Sequence, residues 1–286
     1  MLDNNEEYMN AVTSASKQQF YILHNVRQPL CTHPKRSLIL LLATYDVETI
    51  HKIVNTTPVV HVSFLPNPSD PSAPPIILPM IGQIGQFHTD DAPYVYLHGY
   101  VSSRLMNSSS SASGLPICIA ATKVDGFVLS LSPYTHNYNY RSAVIQGHGR
   151  IVDTDEEKLW AMALITNSVV PERWENSRGP PDGAEMQSTR ILKVSIETAS
   201  GKVREGVPED ERKDMKREDV LDSVWTGVVP MYERLGEPIS GPYNRVKKVP
   251  GYLGDWVSEE NKEKEMYASE AARKAAPLKR AKKVQE

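Results

Sequence analysis

The sequence predicts a mainly-β chain of the α+β class, a closed or nearly closed antiparallel barrel with a few peripheral helices. Three observations carry this prediction. Six or more short β-branched runs are spread along the chain, tight-turn residues separate several of them, and only two or three stretches have helical periodicity. With 286 residues, 40% of them hydrophobic, the chain can bury a sizeable core in one large domain or in one domain plus appendages.

Taken in order, the first thirty residues lack periodicity and read as a loosely attached arm. TYDVETIHKIVN offers Thr44 or Asp46 as an N-cap, followed by Val47, Ile50 and Ile53 or Val54 at helical spacing. Pro58 opens the strand PVVHVSFL, and a Pro/Ser/Asn loop from Pro66 to Pro75 leads to the strand IILPMI. Pro79 has no N–H to give a ladder, so that strand is expected at an edge, at a bulge, or where something other than a strand approaches. Tyr94 to Gly99 reads as a strand, and VSSRLMN after it as the start of a short helix.

LPICIAATKVDGFVLSLS is expected to hold two strands joined at Asp125-Gly126, a pair that accepts the positive φ angles of a two-residue turn. RSAVIQGHGRIV gives another strand. DTDEEKLWAMALITNSVV is the clearest helix, with a capping box from Thr154 to Glu157 and an apolar face of Leu159, Met162, Ala163, Thr166 and Val169. RILKVSIETASGKV and VWTGVVPMYERLG each read as one strand, separated by the charged loop PEDERKDMKRED. Beyond Gly254 the chain has almost no apolar face and reads as a solvated helix or a disordered tail.

Composition narrows the function. A net charge of -3 argues against a broad nucleic-acid surface, which needs clustered Lys and Arg to displace counterions. Two widely separated cysteines, Cys31 and Cys118, suggest neither a disulfide framework nor a zinc site, and fit a reducing, cytoplasmic compartment. The longest apolar run, SLILLLA, is too short to span a bilayer, and the acidic N-terminus does not resemble a secretory signal, so no membrane association is expected.

Several motifs fall short of a chemistry. GHG at Gly147 lacks the third glycine of a dinucleotide fingerprint, Val152 standing in its place, and lies inside a strand. His88, His98, His136 and His148 stand at no HxxxH or HExxH spacing, so no metal site is expected. No GxSxG elbow occurs. LHGYVSSRLM is more informative, because a strand ending in glycine turns into a helix opened by Ser102, Ser103 and Arg104. That turn gathers backbone N–H groups, hydroxyls and a guanidinium suited to a phosphate, although an ordinary Ser N-cap beside an exposed Arg explains the pattern equally well by itself.

In order, HPKRSL, TYDVETIHKIVNTTPVVHVSF, ILPM, YLHGYVSSRLM, the long run from PICIAATKV to GHGRIV, EEKLWAMALITNSVVPERW, SIETASGKVREGVP and VWTGVVPM resemble the pyridoxamine 5'-phosphate oxidase-like flavoproteins. More narrowly they resemble the flavin-nucleotide-binding branch, related to nitroimidazole-resistance proteins. The resemblance runs from about Thr32 to Met231. It implies an FMN-binding split β-barrel over residues 32–236, with an N-terminal arm at 1–31 and a C-terminal extension at 237–286. It also implies a homodimer with FMN held at the subunit interface.

Carried over by position, the resemblance puts Ile77, Leu78, Pro79 and Met80 along the flavin ring, and Ser103 and Arg104, beside Ser102, at the phosphate. Tyr140, Arg141 and Ser142 fall at the flavin or the incoming substrate, and His98 matches a histidine next to the flavin. Lys202, Arg204 and Trp225 are candidates to complete the cleft from the partner subunit. The implied activity is an FMN-dependent oxidoreductase of undetermined small-molecule substrate. NAD(P)H is a candidate donor, and His98 or Tyr140 would be the proton donor or substrate-orienting group. A non-catalytic flavin- or haem-binding protein of the same fold is the alternative, since a binding cleft and a catalytic cleft need much the same lining. The chain departs from the vitamin-pathway oxidases at Leu105, where a second basic residue often stands, and lacks their C-terminal Arg/His motif.

Overall fold

The computed structural model describes residues 43–67, 70, 72–109 and 113–275. The predicted N-terminal arm, the HPKRSL segment, Cys31 and the LKRAKK tail lie outside them. The strands are β1 (Ala43–Thr44), β2 (Val60–Phe64), β3 (Ile76–Met80), β4 (Gly82–Gly85), β5 (Tyr94–Tyr100), β6 (Leu115–Leu129), β7 (Asn137–Ile151), β8 (Thr189–Val194), β9 (Thr198–Arg204) and β10 (Gly227–Pro230). The helices are α1 (Val47–Asn55), α2 (Arg104–Ser108), α3 (Asp155–Val169), α4 (Gly183–Ser188), α5 (Glu218–Leu221) and α6 (Gly251–Arg273). This is a mainly-β α+β fold. No helix among the described residues is long and apolar enough to cross a membrane.

The described chain divides into two compact units. The first holds Tyr45–Thr122 and Ala143–Gly201. Its strands pair in the order β3-β2-β6-β7-β8-β5-β4. Only Ile81 separates β3 from β4, so the two ends of that path are one continuous piece of chain and the path closes on itself as a split barrel. Inward positions alternate with outward ones: Val60, Val62 and Phe64 of β2 and Ile117, Ile119 and Ala121 of β6 are buried, while their neighbours are not.

Helix α1 begins where Asp46 accepts from the Thr49 backbone N–H at 2.8 Å, which decides between the two possible caps. Such a cap contributes about 1 kcal/mol. Its apolar side buries Ile50, Ile53 and Val54. At its last turn the Asn55 amide accepts from Ile84 N–H (2.8 Å) and donates to Ile84 C=O (3.2 Å), taking the place a neighbouring strand would have had beside β4.

Helix α3 packs over the barrel through Ala161 and Ile165, which join Tyr96, Val152 and Ile191 in one buried cluster with Trp160 and Leu164 at its border. Of the predicted face, Ala163 is buried and Met162 packs against this cluster, but Val169 is exposed. The helix is apolar on several sides, so Trp160, the largest side chain, can take up the slot beside Tyr96 and Phe87. The capping box is half made. Thr154 Oγ1 accepts from Glu157 N–H at 3.3 Å, but the Glu157 carboxylate turns inward to the Tyr96 hydroxyl, 2.8 Å away, and to Lys193 Nζ at 2.7 Å.

Two further expectations are corrected. β6 is one unbroken strand, so Asp125-Gly126 is not a hairpin turn; the chain reverses after Leu129 instead. β10 pairs with β6 from Gly126↔Pro230 to Leu129↔Gly227, holding this stretch extended. A Cβ on Gly126 would stand 3.1 Å from the Val229 carbonyl, so the glycine serves close strand approach rather than a positive φ. RILKVSIETASGKV, read as one strand, is two, β8 and β9, broken where Ser195 and Glu197 turn aside to His148.

The second unit holds Lys123–Ser142 and residues 202–275. It contains the distal parts of β6 and β7, with β10 and α6 packed together. The helix buries Ala268 and Ala271, and Gly206 N–H donates to Ala271 C=O at 2.8 Å.

Candidate functional site

In the first unit, the resemblance-derived residues fall on two adjoining pieces of chain. Among the described residues β3 pairs with β2 alone, which accommodates Pro79 at an edge opposite His61. Ile77 and Pro79 are exposed, with Leu78 and Met80 half-buried. Gly82 sits opposite Leu97, which places Met80, two residues upstream, and His98, one residue downstream, at adjoining ends of one ladder.

His98 is exposed, and beyond it the chain turns tightly, with Ser103 N–H donating to Tyr100 C=O at 2.9 Å. Ser103 caps α2, its hydroxyl accepting from Met106 N–H at 3.4 Å, so its own proton stays available to a ligand. Gly99 lies under α2, where a Cβ would come within 2.6 Å of the Met106 methyl. Arg104 and Ser102 are exposed, and Arg104 makes no ion pair among the described residues. A guanidinium beside a serine cap, neither committed to a protein anion, fits a phosphate group.

The outer face of the barrel beside β3 is almost free of charge. The pairings Ile77↔Ser63↔Cys118 and Pro79↔His61↔Ala120 align these six side chains on one side of the sheet. Ile77 is 60% exposed there. Without Asp, Glu, Lys or Arg and partly apolar, such a strip has the composition of an interface core.

Elsewhere in the first unit is a cleft of about 570 Å³ lined by Tyr94, His148, Arg150, Glu157, Lys193 and Glu197 among others. Burial opposes the Lys193 charge, but hydrogen bonds to Asp90 (2.5 Å) and Glu157 (2.7 Å) more than offset it and raise its pKa. The His148–Glu197 hydrogen bond, 2.7 Å, lowers the Glu197 pKa. Nothing local in the sequence joins these groups. His148 and Glu197 meet because β7 and the β8–β9 bend cross, and Gly147 permits it: a Cβ there would lie 1.8 Å from the Ser195 carbonyl oxygen. No group of three His, Cys, Asp or Glu residues among the described residues could hold a metal ion.

In the second unit, strand alternation separates Arg141 from its neighbours. Its Nε and Nη2 donate to the two Asp125 carboxylate oxygens at 2.9 and 2.7 Å, and its guanidinium lies 3.6 Å from the centre of the Tyr267 ring. The Tyr267 hydroxyl donates to Glu205 at 2.8 Å, and burial raises its pKa. Tyr140 and Ser142 take the other side of the strand, with Lys202 Nζ 5.5 Å from the Tyr140 ring. Arg204 is buried, donating to Asn139 Oδ1, while Trp225 is 67% exposed. Sequence reading missed Asp125 and Tyr267 as partners of Arg141; only the Arg141–Asp125 pairing across adjacent strands had any signal, the shared charge complement.

Two solved structures share this fold. The flavocytochrome Anf3 from Azotobacter vinelandii is 27% identical over 75% of this chain and 92% of its own, with a TM-score of 0.62. The FAD and heme binding protein from Mycobacterium smegmatis is 22% identical over 75% of this chain and 97% of its own, also with a TM-score of 0.62. A putative 5-nitroimidazole antibiotic resistance protein from Bacteroides thetaiotaomicron is 19% identical over 56% of this chain and 86% of its own, with a TM-score of 0.43. No curated protein matches. The profile described as pyridoxamine 5'-phosphate oxidase matches residues 46–203, more than half of the chain, from the N-cap of α1 to the end of β9, and the chain belongs to that family.

Proposed function

We propose that this protein is a flavin-nucleotide-binding redox protein, an FMN-dependent oxidoreductase acting on a small molecule, and that it works as a homodimer. The single observation that carries the reading is the family match over residues 46–203, which contains both the β3 edge and the Ser103–Arg104 turn. A flavin would supply hydride or electron transfer through its ring, and the chain would supply binding, orientation and electrostatics. Arg104 and Ser103 would hold the phosphate nearest the ribityl chain, a group common to FMN and FAD. Backbone from Ile77 to Met80 would line the ring, where Pro79 costs no ladder bond. His98, exposed at the end of β5, is the group placed to give a proton or orient a substrate.

The uncharged strip around Ile77 supports the dimer, because a flavin bound there would need a second surface to exclude water. A second reading, a protein that carries haem as well as flavin, is favoured by the two similar structures whose names include haem or cytochrome. Absorbance of the purified protein separates the readings. A flavin band with release of FMN on heating supports the first, FAD in its place alters only the nucleotide, and a Soret band adds haem. Colourless protein that takes up neither FMN nor FAD overturns the flavin assignment.

A further inference from the structure

The cleft of about 570 Å³ in the first unit has no part in the flavin reading. Its floor is one face of β7, β8 and β5. The pairings Gly149↔Val194↔Val95 and Arg150↔Lys193↔Tyr96 fix which side chains share that face. Val194 and Val95 are buried on the other side, so alternation turns His148, Arg150, Lys193, Ser195 and Tyr94 toward the cleft that they line. Tyr94 opens β5, whereas His98 lies near its far end. A cleft of this size with several convergent polar groups is the usual form of a small-molecule site.

Some of these groups are already spent. Lys193 is held by Asp90 and Glu157, and its ammonium lies 4.4 Å from the centre of the Tyr94 ring. Others are oriented but open. Glu197 Oε1 meets His148 Nδ1 at 2.7 Å and accepts from the Ser195 hydroxyl at 2.9 Å. The bond to His148 lowers the Glu197 pKa, so the carboxyl is ionised and can only accept, which places the imidazole proton on Nδ1. On the neutral ring Nε2 is then an acceptor, and it makes no hydrogen bond among the described residues. Arg150 is exposed and makes no ion pair among the described residues. Glu197 Oε2 and the exposed Asp153 add further acceptors at the wall.

That arrangement specifies a ligand. Arg150 is the one uncommitted cation of the lining and suits a single carboxylate, gripped through two N–H groups. His148 stands two residues away on the same face, roughly 6.6 Å along the strand, so Nε2 can accept from a hydroxyl on the carbon next to that carboxylate. Asp153 and Glu197 would repel a second negative charge but accept from further hydroxyls. We infer that this cleft binds a polyhydroxylated monocarboxylate, the chemistry of a sugar acid, with its carboxylate on Arg150, its adjacent hydroxyl on His148 Nε2 and its remaining hydroxyls on Asp153 and Glu197. The site is built from the first unit alone and stands whether or not the protein carries flavin.

Calorimetric titration of the purified full chain with three probes tests it. Gluconate has the carboxylate and the hydroxyls, sorbitol lacks the carboxylate, and hexanoate lacks the hydroxyls. Gluconate is expected to bind at least about tenfold tighter than either of the others, because each of them leaves one half of the lining unpaired. Arg150→Gln is expected to weaken gluconate at least about tenfold while leaving the weaker sorbitol binding unchanged, a difference that general damage to the fold would not produce. Hexanoate as tight as gluconate overturns the role of His148, Asp153 and Glu197. Native gluconate affinity in Arg150→Gln overturns the carboxylate placement. No gluconate binding at concentrations that would fill a millimolar site overturns the whole inference and leaves the flavin reading untouched.

Discussion

The guanidinium of Arg141 stacks 3.6 Å from the ring centre of Tyr267 while meeting Asp125 edge-on through two hydrogen bonds. One side chain thereby joins β6, β7 and α6. Both ionised side chains are largely buried, at 12% and 6% exposure, so the pair gains from geometry what it loses in hydration. Asp125→Asn leaves the guanidinium buried against a neutral partner and is expected to cost about 3–5 kcal/mol. Tyr267→Leu, which removes only the stacked ring, is expected to cost about 0.5–2 kcal/mol. Urea denaturation monitored by circular dichroism reads both. Equal, small losses in the two variants would show that the carboxylate does not hold the charge.

Arg104→Ala is expected to weaken flavin binding by at least about tenfold, from charge-assisted hydrogen bonds worth roughly 1.5–3 kcal/mol. The thermal midpoint of the flavin-free protein should not move, since Arg104 is exposed and makes no ion pair among the described residues. Equilibrium titration with FMN, followed by flavin fluorescence, gives the affinity. An Arg104→Ala variant with native affinity would move the phosphate elsewhere.

What the sequence revealed and what it hid divide along the range of the interactions. Thr154 was readable as a cap, and Asp46 and Ser103 each as one of two candidates, because each bonds a backbone N–H three residues ahead. Pro79 was readable as a break in the ladder, at an edge, a bulge or a non-strand neighbour, because a missing donor is a local fact. Asp125-Gly126 misled for the same reason: its turn preference is local, but Arg141 and β10, which hold it extended, come from far along the chain. Alternation along β7 also puts Arg141 on the opposite side of the strand from Tyr140 and Ser142, which their adjacency in sequence conceals. The inward turn of Glu157, and the crossing that brings His148 to Glu197, needed the tertiary structure.

Gly147 has no room for a side chain. An added Cβ would stand 1.8 Å from the Ser195 carbonyl oxygen and 2.7 Å from its carbon, both backbone atoms that no rotamer change can move. Gly147→Ala must therefore push apart β7 and the bend after β8, and a loss of at least about 1–3 kcal/mol is expected. Gly183→Ala, with nothing within 4 Å of the added carbon, is the matched control and should be nearly neutral. Thermal melts of the two variants side by side check this, and similar midpoints would contradict the close crossing.

His51, on α1, makes stability depend on mildly acid pH. Burial lowers its pKa below the ordinary 6.5, and the nearby Asp46 carboxylate pulls weakly the other way. In the unfolded chain the imidazole takes up its proton near its ordinary pKa, and in the folded chain only at lower pH. Between those points the unfolded state binds more protons, so unfolding free energy rises with pH and the contribution is lost as pH falls through that window. Below the folded pKa both states are charged and nothing remains to lose. The slope from one such group cannot exceed about 1.4 kcal/mol per pH unit. His51→Gln removes the titration but keeps a polar side chain on the helix, so the difference in stability between variant and wild type should shrink or change sign as the pH is lowered from about 7.5 to about 5. Urea midpoints at several pH values in this range measure it, and curves that stay parallel would show that His51 titrates alike in the folded and unfolded chains.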